Sequence, residues 1–367
     1  MNILVTGSDG FIGKNLCIVL SEFNKYQILK VNRHTPEKVL LSYLSKADFV
    51  FHLAGVNRPQ NDSEFHEGNV DYTNYITNSL EKLGRKVPIA LSSSTQVNKN
   101  NLYGDSKLAA EKSVELYSKN TGSSYYIFRF PNVFGKWCKP NYNSFIATFC
   151  HNILNDIEIS IHDPDSKVSL VYIDDVCKSL IEVLDSKSKA GLMEISNVYS
   201  STVGEVAEII TSFKESKDRL ITERVGTGLV RALYSTYLSY FSPESFSYNI
   251  PIYKDDRGIF CEMLKTKDSG QFSFFTAYPG ITRGGHYHHT KTEKFLVIKG
   301  RAKFCFRNII TNEKYSKITS NEHLEIVETV PGWSHNITNI GTDEMFVMLW
   351  ANEIFDPENP DTKESDV

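Results

Sequence analysis

From its start to about residue 240, the chain alternates short apolar runs with longer stretches of helical spacing. Ile3-Leu4-Val5, Ile28-Leu29-Lys30-Val31, Phe49-Val50-Phe51, Ile89-Ala90-Leu91 and Tyr126-Ile127-Phe128 read as strands, too short for helices and flanked by polar text. Ser106 to Lys119, with Leu108, Val114 and Leu116 at helical spacing, reads as a helix. Strand–helix alternation of this kind builds a parallel sheet covered by helices on both faces.

After about Phe246 the pattern changes. Gln271 to Ala277, Lys294 to Ile298, Ala302 to Arg307, Leu324 to Thr329 and Met345 to Trp350 are strand-like runs that follow one another directly. Pro279-Gly280, Gly284-Gly285, Pro331-Gly332 and Gly341 punctuate them. Such spacing predicts an antiparallel barrel or jelly roll. The expected architecture is therefore an α/β domain over 1–243 and an all-β domain over 244–367, joined through Thr236 to Pro251. The polar tail from Pro357 is expected to fray.

Composition narrows the function classes. A formal net charge of −4, without a run of Lys and Arg, gives no electrostatic footprint for nucleic acid or an anionic membrane. No apolar run nears the ~20 residues that span a bilayer. The start of the chain carries no basic, signal-like segment. Cys17, Cys138, Cys150, Cys177, Cys261 and Cys305 are scattered, as reduced thiols of a cytoplasmic protein would be.

Two constellations carry chemistry. Gly7-Ser8-Asp9-Gly10-Phe11-Ile12-Gly13 follows the first strand and opens a helix. Glycines there permit a tight turn and close backbone approach to a pyrophosphate, with helical N–H groups free to meet the phosphates. Where an NAD site would place an acid on the ribose, this chain has Arg33 and His34. A guanidinium suits a 2′-phosphate, so NADPH is the expected cofactor. Tyr103-Gly104-Asp105-Ser106-Lys107 places a phenol and an ammonium one helical turn apart, where the lysine would lower the tyrosine pKa for proton transfer. Ser92-Ser93-Ser94-Thr95 ends a strand and offers a hydroxyl to a substrate oxygen.

In the second half, Gly280-x5-His286-Tyr287-His288-x4-Glu293-x6-Gly300 is followed by Pro331-Gly332-Trp333-Ser334-His335. On a strand His286 and His288 share a face. Three imidazoles and a carboxylate from Glu293 suit a divalent ion, zinc first, with iron or manganese behind.

These residues support a resemblance. The N-terminal part resembles an extended short-chain dehydrogenase/reductase of the nucleotide-sugar type, through Asp48 to His52-Leu53-Ala54-Gly55, Asn69, Arg129-Phe130-Pro131-Asn132-Val133-Phe134-Gly135 and Tyr172-Ile173-Asp174-Asp175-Val176. The resemblance implies that Leu53, Ala54 and Gly55 line the cofactor and that Arg129 and Asn132 meet the substrate. It also points to Ser94 as the catalytic serine, with Ser93 or Thr95 as alternatives. The gap from Ser94 to Tyr103 is shorter than in relatives. The C-terminal part resembles the cupin superfamily, whose barrels often pair, implying a homodimer.

The combination is similar, essentially end to end, to the CapF-like family of bacterial capsular polysaccharide enzymes. That likeness is clearest at Phe134 to Ser144, Tyr234 to Tyr240, His288 to Lys291, and Asp356-Pro357 through Thr362. It implies C3 epimerisation of a UDP-2-acetamido-2,6-dideoxy-hexos-4-ulose in the cupin. NADPH reduction of the C4 ketone would follow, giving UDP-2-acetamido-2,6-dideoxy-L-talose on the UDP-N-acetyl-L-fucosamine route. His289, Lys291 and Lys294 are open candidates for the epimerase base. The alternatives are a redox-neutral epimerase that keeps NAD, a metal-binding cupin that only dimerises, and a cupin dioxygenase.

Overall fold

The computed structural model describes residues 1–185, 189–250, 253–255, 258–260, 264–266, 270–353 and 358–367. Cys261, Pro251 and Asp356-Pro357 lie outside them. The chain separates into two compact units: 1–134, 141–144 and 167–201 in the first; 135–140, 145–166 and 202–367 in the second.

The first unit is built on β1 (Asn2–Thr6), α1 (Phe11–Ser21), β2 (Gln27–Val31), α2 (Glu37–Leu44), β3 (Phe49–His52), a one-turn α3 (Ser63–Phe65), α4 (Tyr72–Lys82), β4 (Ile89–Ser94), α5 (Leu102–Thr121) and β5 (Tyr125–Phe130). All five strand runs expected from the sequence are present. β6 (Asn132–Phe134), β7 (Lys167–Tyr172), β8 (Gly191–Met193) and β9 (Val198–Thr202) follow. Between them lie α6 (Phe145–Leu154), a second-unit helix, and α7 (Ile173–Glu182). A six-stranded sheet runs in the order β2-β1-β3-β4-β5-β8, with every pair parallel. β6, β7 and β9 form a smaller sheet.

Strands buried on both faces must be apolar throughout, and β3 reads Phe-Val-Phe-His with every residue buried. Leu4, Val50, Ile89 and Leu91 form one core with Leu40 and Leu44 of α2, Ile76 and Leu80 of α4, and Val114 and Tyr117 of α5. The strand order reverses between β1 and β3, so their carboxyl ends open a crevice, the usual ligand position in a doubly wound sheet.

The second unit holds α8 (Val203–Arg219) and α9 (Gly228–Leu238) beside an all-antiparallel jelly roll. β10 (Ile221–Thr222) pairs with β14 (Lys265–Thr266), and β12 (Tyr253–Asp255) with β13 (Gly258–Phe260). The jelly roll consists of β11 (Ser247–Asn249), β15 (Gln271–Ala277), β16 (Thr282–Tyr287), β17 (Glu293–Lys299), β18 (Arg301–Asn308), β19 (Lys314–Ser320), β20 (Glu325–Glu328), β21 (Trp333–Asn339), β22 (Met345–Ala351) and β23 (Lys363–Glu364). They form two five-stranded sheets, β11-β20-β17-β22-β15 and β19-β18-β21-β16-β23. Phe295 of one sheet meets Phe304 of the other with ring centroids 5.7 Å apart. That tilted aromatic contact between the two sheets belongs to a closed apolar core.

Within the expected join, Tyr237, Leu238 and Phe246 are buried, and residues 247–249 pair with β20. One expectation is corrected: the tail does not fray, because β23 adds antiparallel to β16, pairing Tyr287 with Lys363. Polarity gave the wrong answer in the tail because its bonds are backbone and charge-assisted rather than apolar.

Among the described residues no helix is long and apolar enough to cross a membrane. Leu4 is fully buried in the core of the first unit. Leu4→Ala is therefore expected to cost about 2–5 kcal/mol in urea unfolding, and a cost below ~1 kcal/mol would contradict that packing.

Candidate active sites

The β1–α1 turn is set by close backbone approach. Gly7 has φ +66°, and a Cβ there would lie 2.8 Å from the Ala54 backbone nitrogen. A Cβ on Gly13 would sit 2.1 Å from the Gly7 carbonyl oxygen, so α1 packs on the turn only without one. Gly10 caps α1 without a side-chain hydrogen bond, and the first helical turn has no acidic residue. The helical N–H groups beside Phe11 and Ile12 thus face no competing anion of their own turn. Leu53, Ala54 and Gly55 leave the end of β3 against this loop.

At the end of β2, Asn32 donates to the Asp9 carboxylate at 2.7 Å, tying the loop that carries Arg33 and His34 to the glycine turn. Both side chains are exposed. Their position is that of the ribose-reading loop of a doubly wound fold.

β4 and α5 bring the proton-transfer group together. Ser94 ends β4, a 3₁₀ turn covers Thr95–Asn98, and Asn101 caps α5 by accepting from the Gly104 N–H at 2.8 Å. A Cβ on Gly104 would lie 2.2 Å from the Gln96 carbonyl oxygen. The short gap after Ser94 is thereby accommodated: helix and turn touch through a glycine. The Ser94 hydroxyl, which accepts from the Gln96 N–H at 3.2 Å, is the side chain that favours the charged form of the Tyr103 phenol. Ser93 instead donates to Glu111, and Glu111 also receives Arg129 through Nε at 3.0 Å and Nη2 at 2.7 Å.

Lys107 is buried, and a Cβ on Gly55 would lie 3.2 Å from its Nζ and 2.7 Å from Asn69 Oδ1. Asn69 in turn donates to the Val56 carbonyl and to Ser106 and accepts from the Val56 N–H. Burial lowers the Lys107 pKa from 10.5 to about 8, with Glu111 pulling the other way. Tyr103 differs from expectation. Burial raises its pKa, and only Ser94 opposes that. His52 is a structural residue: Thr6 and Thr73 hold its two ring nitrogens at 2.7 and 2.9 Å, and burial lowers its pKa to about 3. Asn132 is exposed and donates to the Ser169 carbonyl at 3.1 Å. The sequence reading missed Glu111 as the residue that ties Ser93 to Arg129. Its position one turn after Lys107 was the available signal.

In the second unit, the ligand atoms of His286, His288, Glu293 and His335 lie within 4.8 Å of one another. A register shift between Gly284 and His286 places His286 opposite His335. A Cβ on Gly284 would lie 2.8 Å from the His335 carbonyl oxygen, so the glycine pair permits the bulge. Gly332 has φ +79° and packs on the Trp137 indole, while its N–H donates to the His288 carbonyl at 3.0 Å. That contact fixes the loop before His335.

Glu293 lies 3.2 Å from His288 Nε2, 3.4 Å from His335 Nε2 and 2.9 Å from Lys291 Nζ. Burial pushes its carboxyl pKa up, but hydrogen bonds from both histidines hold it well below 4.5. Burial, helped by the neighbouring imidazoles, lowers His286 to about 3. A deprotonated carboxylate beside a neutral imidazole is the donor state that zinc requires, and the set fits such an ion. Lys294, one candidate for the epimerase base, points to the opposite side of β17, where it pairs with Glu328 and Tyr248. Side chains alternate along a strand, so the neighbour of Glu293 cannot share its face.

A Rossmann-type dehydrogenase sheet with a Ser–Tyr–Lys group, and a cupin jelly roll with a three-histidine, one-glutamate cluster, define the class. Residues 3–198 match the NAD dependent epimerase/dehydratase family, and 253–363 match the polysaccharide biosynthesis C-terminal domain. The chain belongs to the NAD dependent epimerase/dehydratase family. It is 53% identical over 363 residues to a UDP-2-acetamido-2,6-β-L-arabino-hexul-4-ose reductase of Pseudomonas aeruginosa, covering 99% of this chain and 98% of the relative. The crystal structure of the capsular polysaccharide assembling protein CapF from Staphylococcus aureus matches over 100% of both chains, with 42% identity and a TM-score of 0.69. CapF with the inhibitor 3-isopropenyl-tropolone matches over 100% of both chains at 38% identity and TM-score 0.64.

Between pH 8 and 10.5 the unfolded chain keeps the Lys107 proton that the folded chain has released. Stability from this group therefore rises with pH across that window. Lys107→Met is expected to flatten the rise in denaturant unfolding of the cofactor-free protein. An unchanged pH slope would contradict the lowered pKa.

Proposed function

We propose that the chain converts a UDP-2-acetamido-2,6-dideoxy-hexos-4-ulose in two steps. The cupin module, residues 244–367, epimerises C3. The reductase module, residues 1–243, reduces the C4 ketone with NADPH. The product is UDP-2-acetamido-2,6-dideoxy-L-talose, on the UDP-N-acetyl-L-fucosamine route to a surface polysaccharide. The observation that carries this reading is a proton-transfer group and a metal-type cluster in one chain, akin throughout to a reductase of a UDP-hexul-4-ose. On this reading the protein works in the cytoplasm as a homodimer.

The chemistry runs in that order because a C3 proton is acidic only while C4 is a ketone. A divalent ion held by His286, His288, Glu293 and His335, zinc first, supplies Lewis acidity for the charge that builds up on the sugar oxygens. His289 and Lys291 remain the candidates to move the C3 proton. Tropolones chelate divalent ions through two adjacent oxygens, so the inhibitor bound to the relative CapF accords with a metal here.

Reduction then traps the new configuration. NADPH would supply the hydride; Gly7, Gly10, Phe11, Ile12 and Gly13 would hold its phosphates, Leu53, Ala54 and Gly55 would line it beside Lys107, and Arg33 and His34 would meet the 2′-phosphate. Tyr103 gives its proton to the C4 oxygen. Its raised pKa suits that task, since a half-buried phenol of this kind stays protonated until the ketone calls for the proton. Ser94 orients the oxygen, and the Lys107 charge stabilises the phenolate left behind. Asn132 lies where the nucleotide sugar binds. Arg129 acts from behind, steadying Glu111 and through it Ser93.

Tyr103→Phe is expected to slow NADPH oxidation by about 10²–10⁴-fold, while C3 exchange continues. Equal loss of both activities would contradict separate sites. Arg33→Ala should weaken NADPH about tenfold, the worth of one charge-assisted hydrogen bond, with little change for NADH. Equal loss for both cofactors would remove Arg33 from the 2′-phosphate.

A further inference from the structure

The segment 361–366 meets the metal-type cluster through its backbone and holds the loop beside it through one half-buried carboxylate. Asp361 Oδ1 accepts from the His289 N–H at 2.9 Å, and Oδ2 accepts from the Thr290 and Lys291 N–H groups at 2.7 Å each and from Thr290 Oγ1 at 3.0 Å. Three successive backbone donors thus end on one carboxylate. Its pKa is lowered despite burial, because His289, His288 and these N–H groups favour the charged form. The Asp361 carbonyl meanwhile faces His288 Nδ1. That contact takes the proton on Nδ1, so Nε2, which donates to Glu293 here, is the nitrogen that would release its proton to a metal at the cluster centre.

Beyond Asp361 the segment is fastened on both sides. Glu364 pairs with His286 and Lys363 with Tyr287. The Ser365 N–H donates to the Gly285 carbonyl at 2.9 Å, and Ser334 donates its hydroxyl to the Ser365 carbonyl at 2.6 Å. Arg307 donates to the Asp366 carbonyl through Nε and Nη2 at 2.9 and 2.6 Å. The strap therefore contacts His286 and His288 and binds the neighbour of His335.

We infer that residues 361–366 form a strap that organises the metal site, with Asp361 the positioning residue that sets the His288 tautomer and holds the loop carrying Lys291 against Glu293. The strap touches no reacting atom; it acts through the ligands. Outer contacts of this kind typically set metal affinity by 10–100-fold. The inference rests on the metal reading of the cluster given above.

The test is zinc affinity of the full chain by competition with a chromophoric chelator, together with the visible spectrum of the cobalt-loaded protein. Asp361→Asn keeps the side-chain size but turns an N–H₂ toward backbone donors. It is expected to lower zinc affinity 10–100-fold and to shift the cobalt bands, which a purely structural loss of melting temperature would not do. Arg307→Gln loosens the far end of the strap without touching a ligand and should shift affinity the same way by less. If Asp361→Asn fails to fold, Arg307→Gln decides on the same two readouts. Wild-type zinc affinity and cobalt bands in a folded variant overturn the strap while leaving the metal reading intact. A wild-type chain that binds no zinc removes both.

Discussion

Lys107 lies buried at the carboxyl end of the parallel sheet, and an ammonium without water around it is costly. The neighbourhood is arranged to keep that charge usable. Gly55 has no side chain where Nζ needs room, Asn69 holds the adjacent loop, and Glu111 one turn on supplies the counter-charge that partly offsets burial. Arg129 and Ser93 hold the Glu111 oxygens in place. The position of Tyr103 then follows, one turn before Lys107 on α5, with Ser94 brought to it across the glycine contact between Gly104 and Gln96.

The second unit solves the converse problem with a buried anion. Glu293 is stabilised by His288, His335 and Lys291, and each of these is held by backbone contacts that glycines and the Asp361 carboxylate make possible. In both units the charge that chemistry needs is kept by neighbours rather than by water, so each site is polar inside and apolar around. A third buried charge group, Lys294 with Glu328 and Lys217, sits on the other side of β17 and serves the packing of α8 on the jelly roll.

Much of this was legible in the residues. The strand runs, the glycine turn, Y-x-x-x-K and the four ligand types follow from periodicities of two and 3.6 and from donor chemistry, and those are local properties. What was not legible depends on tertiary burial. Nothing local says that burial would raise the Tyr103 pKa with Ser94 alone opposing it. Nor does composition tell that Ser93 turns to Glu111 while Ser94 turns to Tyr103, since adjacent strand residues differ only by face. The segment after Pro357 read as frayed because it is polar almost to its last residue, Val367. Asp361 ties it down through N–H groups that the sequence does not display.

On the proposed function, one chain carries two chemically distinct sites that act in sequence on one sugar. The most direct measurement is NMR of the 4-keto UDP-sugar with the enzyme in deuterated water, first without and then with NADPH. Deuterium at C3 without cofactor, followed by disappearance of the C4 ketone on adding NADPH, is the expected result. Reduction without prior exchange at C3, or no consumption of NADPH at all, would contradict it.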